Sequence, residues 1–192
     1  MTTVHTLASG SSGNAAVLSC GDTHLLLDAG ISCRRITTAL NALGLSPELL
    51  SAILITHTHS DHISGLRTLL KKTDCPILAT PRTCRELCCR LEGIDGRLME
   101  LEAPIQMGEV GITPVITSHD APGSCGWRFN TADGGVGFLT DTGCITDEAA
   151  ALLPGVALAV LEANHDIEAL RSGPYPYYLK ERILSPRGHL CN

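Results

Sequence analysis

The segment Thr56-His57-Thr58-His59-Ser60-Asp61-His62 decides how the rest of the chain is interpreted. It places three imidazoles and one carboxylate within six residues, from 57 to 62, and these groups bind zinc and related ions. On a turn, the spacing of His57 and His59 lets both rings point into one cavity. Asp61 and His62 can then face a second ion from the same loop. The segment therefore predicts a metal site rather than a polar turn with incidental histidines.

The residues around this segment place it at the end of a strand. The run Ala52-Ile-Leu-Ile-Thr56 is apolar and predicts a strand buried on both faces. Other candidate polar groups also come directly after predicted strands: Asp28, His119, Asp141 and His165. Loops at strand ends are where a rigid sheet presents chemical groups. We therefore expect one site along one edge of a sheet. The alternative is that these residues have no role in a site: His119 and Asp141 would lie in ordinary turns, and His165 would only start a helix.

Local patterns outline the other elements. The strands Ala15–Ser19 and His24–Leu27 flank Gly21-Asp22-Thr23, which predicts a hairpin. Ser32 can cap a helix that runs to about Leu43. Further helices are predicted from Ser64 to about Lys72 and from Pro176 to Leu184.

Composition indicates one globular domain over residues 1–192. The chain is 44% hydrophobic and 18% charged, which is not typical of disorder. It has nine cysteines, an odd number without a CxxC pair, which predicts free thiols in a reducing cytosol. No basic and apolar leader is visible and no run reaches the roughly 20 apolar residues that span a bilayer. The expected location is cytoplasmic, with no membrane partner.

Net charge restricts how the chain can hold nucleic acid. Its formal charge is −6 at pH 7, whereas binding that depends mainly on counterion release usually needs a basic face. A phosphate substrate would therefore need a local positive centre, such as a metal ion.

With these motifs, the chain resembles the metallo-β-lactamase fold superfamily. The signature loop of the superfamily corresponds to Thr56–His62. Three further strings occur in the same chain order as in that superfamily: Asp28-Ala-Gly30 before the loop, then Ser118-His119 and Thr140-Asp-Thr-Gly143 after it. Other strings resemble the YycJ/WalJ-like branch of small bacterial hydrolases: Ser9–Asn14, Leu161–Asp166, Gly173–Pro176 and Gly188–Leu190.

The resemblance implies an α/β (α+β) fold, a four-layer αββα sandwich with two divalent metal ions at the rim of its sheets. His57, His59 and His119 would hold one ion. Asp61 and His62 would hold the other, and Asp141 would bridge both. Asp28 would orient the loop histidines through hydrogen bonds, as metal sites usually require. Zinc suits the histidines, and manganese suits phosphoryl chemistry.

Family members continue into a further strand and a second Gly-His loop that supplies the last metal ligand. The 192 residues are therefore expected to be C-terminally incomplete relative to the family. His165, His189 or a water would take the place of that ligand. His189 resembles the Gly-His-Ser loop of phosphodiesterases in the superfamily, where a histidine lies near the scissile phosphate; Cys191 stands where the branch has serine. The loop with Ser9, Ser11, Ser12 and Asn14 either cradles a phosphate through backbone N–H groups or is an ordinary loop.

Three functional hypotheses follow. The first is a dinuclear metal-dependent phosphodiesterase, a DNA exonuclease that uses a metal-bridging hydroxide oriented by Asp61, with His189 as proton donor. The second is a hydrolase of small esters, lactones or thioesters with the same metal site, which the net charge favours. The third is an inactive or weakly active truncated form that acts as a binding protein.

Overall fold

The computed structural model describes residues 1–192. A first sheet has six strands in chain order, β1 to β6, and they are Thr2–Ala8, Ala15–Cys20, Thr23–Leu27, Ala52–Leu54, Ile77–Ala79 and Leu98–Glu100. The first three strands are antiparallel, as the predicted hairpin requires, and β3 to β6 pair in parallel. Parallel pairing brings the carboxyl ends of β3 and β4 to the same edge, so the residues after Leu27 and Leu54 become neighbours.

A second sheet has five strands in the order β11-β10-β9-β8-β7. In chain order, β7 to β11 are Ile105–Met107, Val110–Ile116, Cys125–Thr131, Gly134–Leu139 and Val156–Leu161. Only β10 and β11 pair in parallel. Thr56 O accepts a hydrogen bond from Cys125 N–H at 3.0 Å, which joins the two sheets beside the histidine loop.

Seven α-helices complete the chain: α1 Cys33–Ala42, α2 Ser60–Ile63, α3 Leu66–Leu69, α4 Pro81–Arg90, α5 Asp147–Leu152, α6 Ile167–Ser172 and α7 Tyr177–Leu184. Short 3-10 turns lie at Pro47–Leu49 and Asp95–Arg97. None of these helices has the length and apolar character needed to cross a membrane.

Alternating side chains build the layers. Along β2, Ala15 and Val17 join a cluster with α1, α3 and α4, whereas Ala16 and Leu18 join a cluster between the two sheets. Trp127 and Phe129 of the second sheet fill that inner cluster and are fully buried. On the outer face of the second sheet, α5 packs through Ala149 against Val115 and Leu139. The result is the four-layer αββα sandwich that the family resemblance implies.

The predicted strand Ala52–Thr56 is buried on both faces, since Ile53 packs toward the helices and Leu54 toward the second sheet. Ser32 caps α1 by accepting from Arg35 N–H at 3.4 Å, also as predicted.

The helix predicted from Ser64 to Lys72 is shorter than expected: the segment forms only α3, Leu66–Leu69, and the preceding helix α2 ends at Ile63. Gly65 separates them, and its N–H donates to Ala29 O at 2.8 Å. A Cβ at this glycine would lie 2.0 Å from Ile31 O. This close backbone approach interrupts the helix and holds Asp61 and His62 against the end of β3.

Candidate metal centre

The strand ends of both sheets bring histidines and aspartates to one place. Asp28 follows β3 and the histidine loop follows β4, while His119 and Asp141 follow β8 and β10. Both aspartates have a positive φ, 58° for Asp28 and 55° for Asp141. Aspartate tolerates this left-handed region better than most residues do, and such strained positions concentrate at functional sites.

One set of donor atoms, here called the three-histidine group, consists of His57, His59 and His119. His59 Nδ1 lies 3.1 Å from His57 Nε2 and 3.2 Å from His119 Nε2. Two ligand nitrogens of a tetrahedral zinc ion, each about 2.0–2.1 Å from the metal, are about 3.3 Å apart. The spacing of these nitrogens therefore fits a single ion bound by all three rings.

The far sides of the rings explain why these nitrogens are free to bind. His119 Nδ1–H faces Gly188 O at 3.1 Å, and His57 Nδ1–H faces Thr56 Oγ1 at 3.0 Å. Gly188 O can only accept, which assigns the His119 proton to Nδ1. The Thr56 hydroxyl gives its own proton to Asp28 and therefore accepts from His57 Nδ1–H, so that Nε2 of both rings keeps a lone pair directed into the site.

Asp141 joins two further groups of donor atoms. One contains His57, His62 and Asp141, and the other contains His119, Asp141 and His189. Asp141 Oδ2 is 3.2 Å from His62 Nε2, whereas Oδ1 is 3.6 Å from His189 Nδ1. Its two oxygens thus face opposite sides of the site, an arrangement that suits the bridging role expected from the sequence.

Asp28 supports the loop from beneath. Its Oδ2 accepts from His62 Nδ1–H at 2.8 Å, and its Oδ1 accepts from Thr56 N–H at 2.9 Å. The Thr56 hydroxyl also donates to this carboxylate, at 2.9 Å from Oδ2. Asp28 and Thr56 are both 1% exposed, so water does not compete for these bonds. Thr56 belongs to the signature segment, but only the structure shows that its hydroxyl links His57 to Asp28.

The protein's own charges divide the site into two electrostatic environments. Burial and the neighbouring positive charge of His62 hold the pKa of His57 well below its usual value. Burial also lowers the pKa of His59 and of His119. These three imidazoles are therefore neutral at pH 7, the form that binds metal ions.

His62 and Asp141 form the charged part of the site. Burial opposes the charge of His62, but Asp28 and Asp141 outweigh it and raise its pKa to about 11. Burial likewise opposes the charge of Asp141, yet His62 holds the pKa of that carboxyl well below its usual range. A cation that binds His62 Nε2 must displace its proton, which the two flanking carboxylates otherwise stabilise.

His189 is also drawn into the site, through a residue that the sequence analysis did not single out. Glu162, directly after β11, accepts from His189 Nδ1 at 2.5 Å and from the backbone N–H groups of Leu190 and Thr142 at 3.1 Å each. Burial opposes the charge of His189, but the Glu162 carboxylate raises its pKa. The His189 ring centroid lies 5.1 Å from that of His119. Two signals pointed to Glu162: its position directly after a strand, and its place in the string Leu161–Asp166 that resembles the YycJ/WalJ-like branch.

The remaining candidates are less closely associated with these groups. Asp61 Oδ2 lies 3.7 Å from His62 Nε2 and belongs to none of the three donor groups. Asn14 reaches the same place, because its Nδ2 lies 3.4 Å from Asp61 Oδ2 and 3.1 Å from His62 Nε2. The hydroxyls of three exposed serines make no hydrogen bond there: Ser9, Ser11 and Ser12. His165 lies outside the donor groups and pairs through its backbone with Cys191.

The chain thus forms a sandwich of two mixed sheets with a histidine and aspartate cluster at its rim, a donor set that can hold metal ions. Residues 23–181 match the family model described as the β-lactamase superfamily domain. Exodeoxyribonuclease WalJ of Streptococcus pneumoniae serotype 2 strain D39 is 39% identical over 191 residues, which cover 97% of this chain and 71% of that protein. Exodeoxyribonuclease YycJ of Bacillus anthracis is 35% identical over 189 residues, with 97% and 72% covered.

Among solved structures, Zn(2+)-bound PqqB from Methylobacterium extorquens superposes with a TM-score of 0.76. The match covers 92% of this chain and 78% of that one at 16% identity, so it shows a common fold. The chain belongs to the β-lactamase superfamily, and its resemblance to the YycJ/WalJ branch is confirmed.

Proposed function

We propose that the chain is a dinuclear metal-dependent phosphodiesterase that releases nucleotides from the ends of DNA. The observation that carries this proposal is the paired arrangement of the site. The three-histidine group lies beside His62 and Asp141, and His189 approaches from the opposite side of Asp141. The names of the YycJ and WalJ relatives supply the substrate class.

These residues would form two sets of ligands, one for each metal ion. His57, His59 and His119 would hold one ion, and His62, Asp141 and Asp61 the other, with Asp141 shared between them. Zinc or manganese bound in this way would supply Lewis-acid activation of water and neutralise the charge that develops on a phosphate. Such local positive charge would let a chain with a formal charge of −6 hold an anionic substrate.

The chain's own groups then position the reactants. Asp61, which receives the Asn14 amide at 3.4 Å, orients the attacking water. His189 donates a proton from its ring to the leaving oxygen, and Glu162 fixes the orientation of that ring. Asp28 and Thr56 hold the loop histidines in their tautomers and directions.

The test combines metal content with hydrolysis of end-labelled duplex DNA. We expect about two ions per chain and metal-dependent release of mononucleotides. His59→Ala should lose an ion and nearly all activity, while His5→Ala, in an exposed position on β1, should retain both. A preparation that holds two ions and releases no nucleotide with zinc or manganese would overturn the proposal.

A second candidate is a hydrolase of small esters, lactones or thioesters, which the acidic net charge favours. Chromogenic phosphodiesters and chromogenic carboxylic esters separate the two activities. Faster turnover of the carboxylic esters would favour the second candidate. A chain that binds one ion or none would instead support a binding role.

A further inference from the structure

A cavity of about 390 Å³ lies directly beside the candidate metal centre, and His119 forms part of its wall. This volume is in the range of sites for small molecules. Its ten lining residues include two arginines, Arg82 and Arg187, and no acidic residue. The cavity is therefore locally basic, although the chain as a whole is acidic.

The wall that carries Arg82 is held in place by hydrogen bonds. Gly123 O accepts from Thr80 Oγ1 at 2.7 Å and from Thr83 Oγ1 at 3.1 Å. These bonds attach the loop after His119 to the first turn of α4. Gly123 has a φ of 75°, and a Cβ there would lie 2.6 Å from the Arg82 Cβ. The position of Arg82 relative to the cavity is therefore built into the packing of this loop.

The two guanidinium groups keep most of their hydrogen-bonding capacity. Arg187 donates from Nε and Nη2 to His119 O at 3.3 and 3.2 Å, which anchors it next to the three-histidine group. Its Nη1 makes no protein hydrogen bond, and Arg82 makes neither a side-chain hydrogen bond nor an ion pair. By contrast, Arg182 is paired with Asp120. Two uncompensated guanidinium groups around one cavity are suited to a phosphate.

We propose that this cavity binds a nucleotide next to the scissile bond and that Arg82 and Arg187 hold its phosphate. The inference rests on the proposed function, because it places one nucleotide of the DNA strand beside His119.

The experiment measures binding of thymidine 5′-monophosphate by calorimetry to the protein as purified, with metal content determined for every variant. We expect Arg82→Ala and Arg187→Ala each to weaken binding about tenfold, the loss of one charge-assisted contact. Arg85→Ala is the matched control, since Arg85 lies on α4 but outside the cavity, and it should change affinity less than twofold. Thymidine and inorganic phosphate should each bind much more weakly than the mononucleotide.

Arg82→Lys provides a further check, because it keeps the charge but loses the planar fork and should give an intermediate affinity. Equal affinity of Arg82→Ala, Arg85→Ala and wild type would overturn the inference, as would thymidine binding as tightly as the mononucleotide. Inorganic phosphate binding as tightly as the mononucleotide would also overturn the nucleotide assignment.

Experiments with DNA distinguish a failure of this inference from a failure of the proposed function. With a single-stranded oligonucleotide, Arg82→Ala should reduce the slope of log affinity against log salt by about 0.7. Mononucleotide binding that depends on Arg82 without any DNA hydrolysis would refute the nuclease and leave the cavity assignment standing. DNA hydrolysis with mononucleotide binding independent of both arginines would refute the cavity alone.

Discussion

Replacement of Asp28 by asparagine tests the hydrogen-bond support of the metal centre. The carboxylate accepts from His62 Nδ1–H at 2.8 Å and from Thr56 N–H at 2.9 Å, and it is 1% exposed. Asparagine has the same shape but only one acceptor oxygen, so an NH₂ group must face either the His62 Nδ1–H or the Thr56 backbone N–H. Without that carboxylate, the neutral His62 ring is no longer held with its proton on Nδ1, and the proton can occupy Nε2, the nitrogen that the metal needs.

The size of the effect follows from this lost contact. A hydrogen bond to a charged group contributes about 1.5–3 kcal/mol, and loss of such a partner to a metal-binding histidine typically weakens metal binding about 10–100-fold. We expect the ion that His62 helps to hold to bind about 10–100-fold more weakly in Asp28→Asn. The ion of the three-histidine group should be less affected, because His57 keeps its contact with Thr56 Oγ1 at 3.0 Å.

The assay is competition for zinc against a chromophoric chelator, together with metal content after dialysis. Asp22→Asn is the matched control, because Asp22 is exposed in the turn at the opposite end of β3 and should bind both ions as wild type does. If Asp28→Asn bound both ions within twofold of the wild-type affinity, the supporting role assigned to Asp28 would be refuted.

Three further results are expected. Glu162→Gln should lower kcat for DNA hydrolysis at least tenfold with KM changed less than twofold, because the His189 ring loses its charged partner at 2.5 Å. An unchanged kcat would contradict the role of Glu162 in orienting that ring. Chelation of bound metal should lower the melting temperature by roughly 5–10 °C, since an ion at 100 times its Kd adds about 2.7 kcal/mol of stability; an unchanged melting temperature would argue that no ion stabilises the fold. Gly30→Ala should lower the free energy of unfolding in urea by about 2–3 kcal/mol, because the new Cβ would lie 1.6 Å from Asp61 O. Gly96→Ala is the control and should be nearly neutral, because open space surrounds Gly96.

The sequence was most informative where the chemistry is local. His57, His59 and His62 lie within six residues, so their shared role was visible from spacing alone, and an apolar run placed them at a strand end. The hairpin and the Ser32 cap are local patterns of the same kind. The fold class came from the resemblance of these strings to a family, and the observed sandwich agrees with it.

Prediction was weaker where a backbone meets a distant segment. The helix expected from Ser64 begins only at Leu66, because Gly65 packs against Ala29 and Ile31, more than thirty residues earlier in the chain. No periodicity within the helix reveals this contact.

By itself, the sequence determined which atoms are available as ligands, because imidazole and carboxylate chemistry belongs to the side chain and its near neighbours. Which partners those atoms have depends on how distant segments pack in the folded chain. This packing aims the two oxygens of Asp141 at different histidines, sets Glu162 against His189 from 27 residues away, and brings Arg82 and Arg187 to one cavity. These contacts depend on the relative placement of two sheets, and that placement results from the summed packing of the whole core rather than from any short segment.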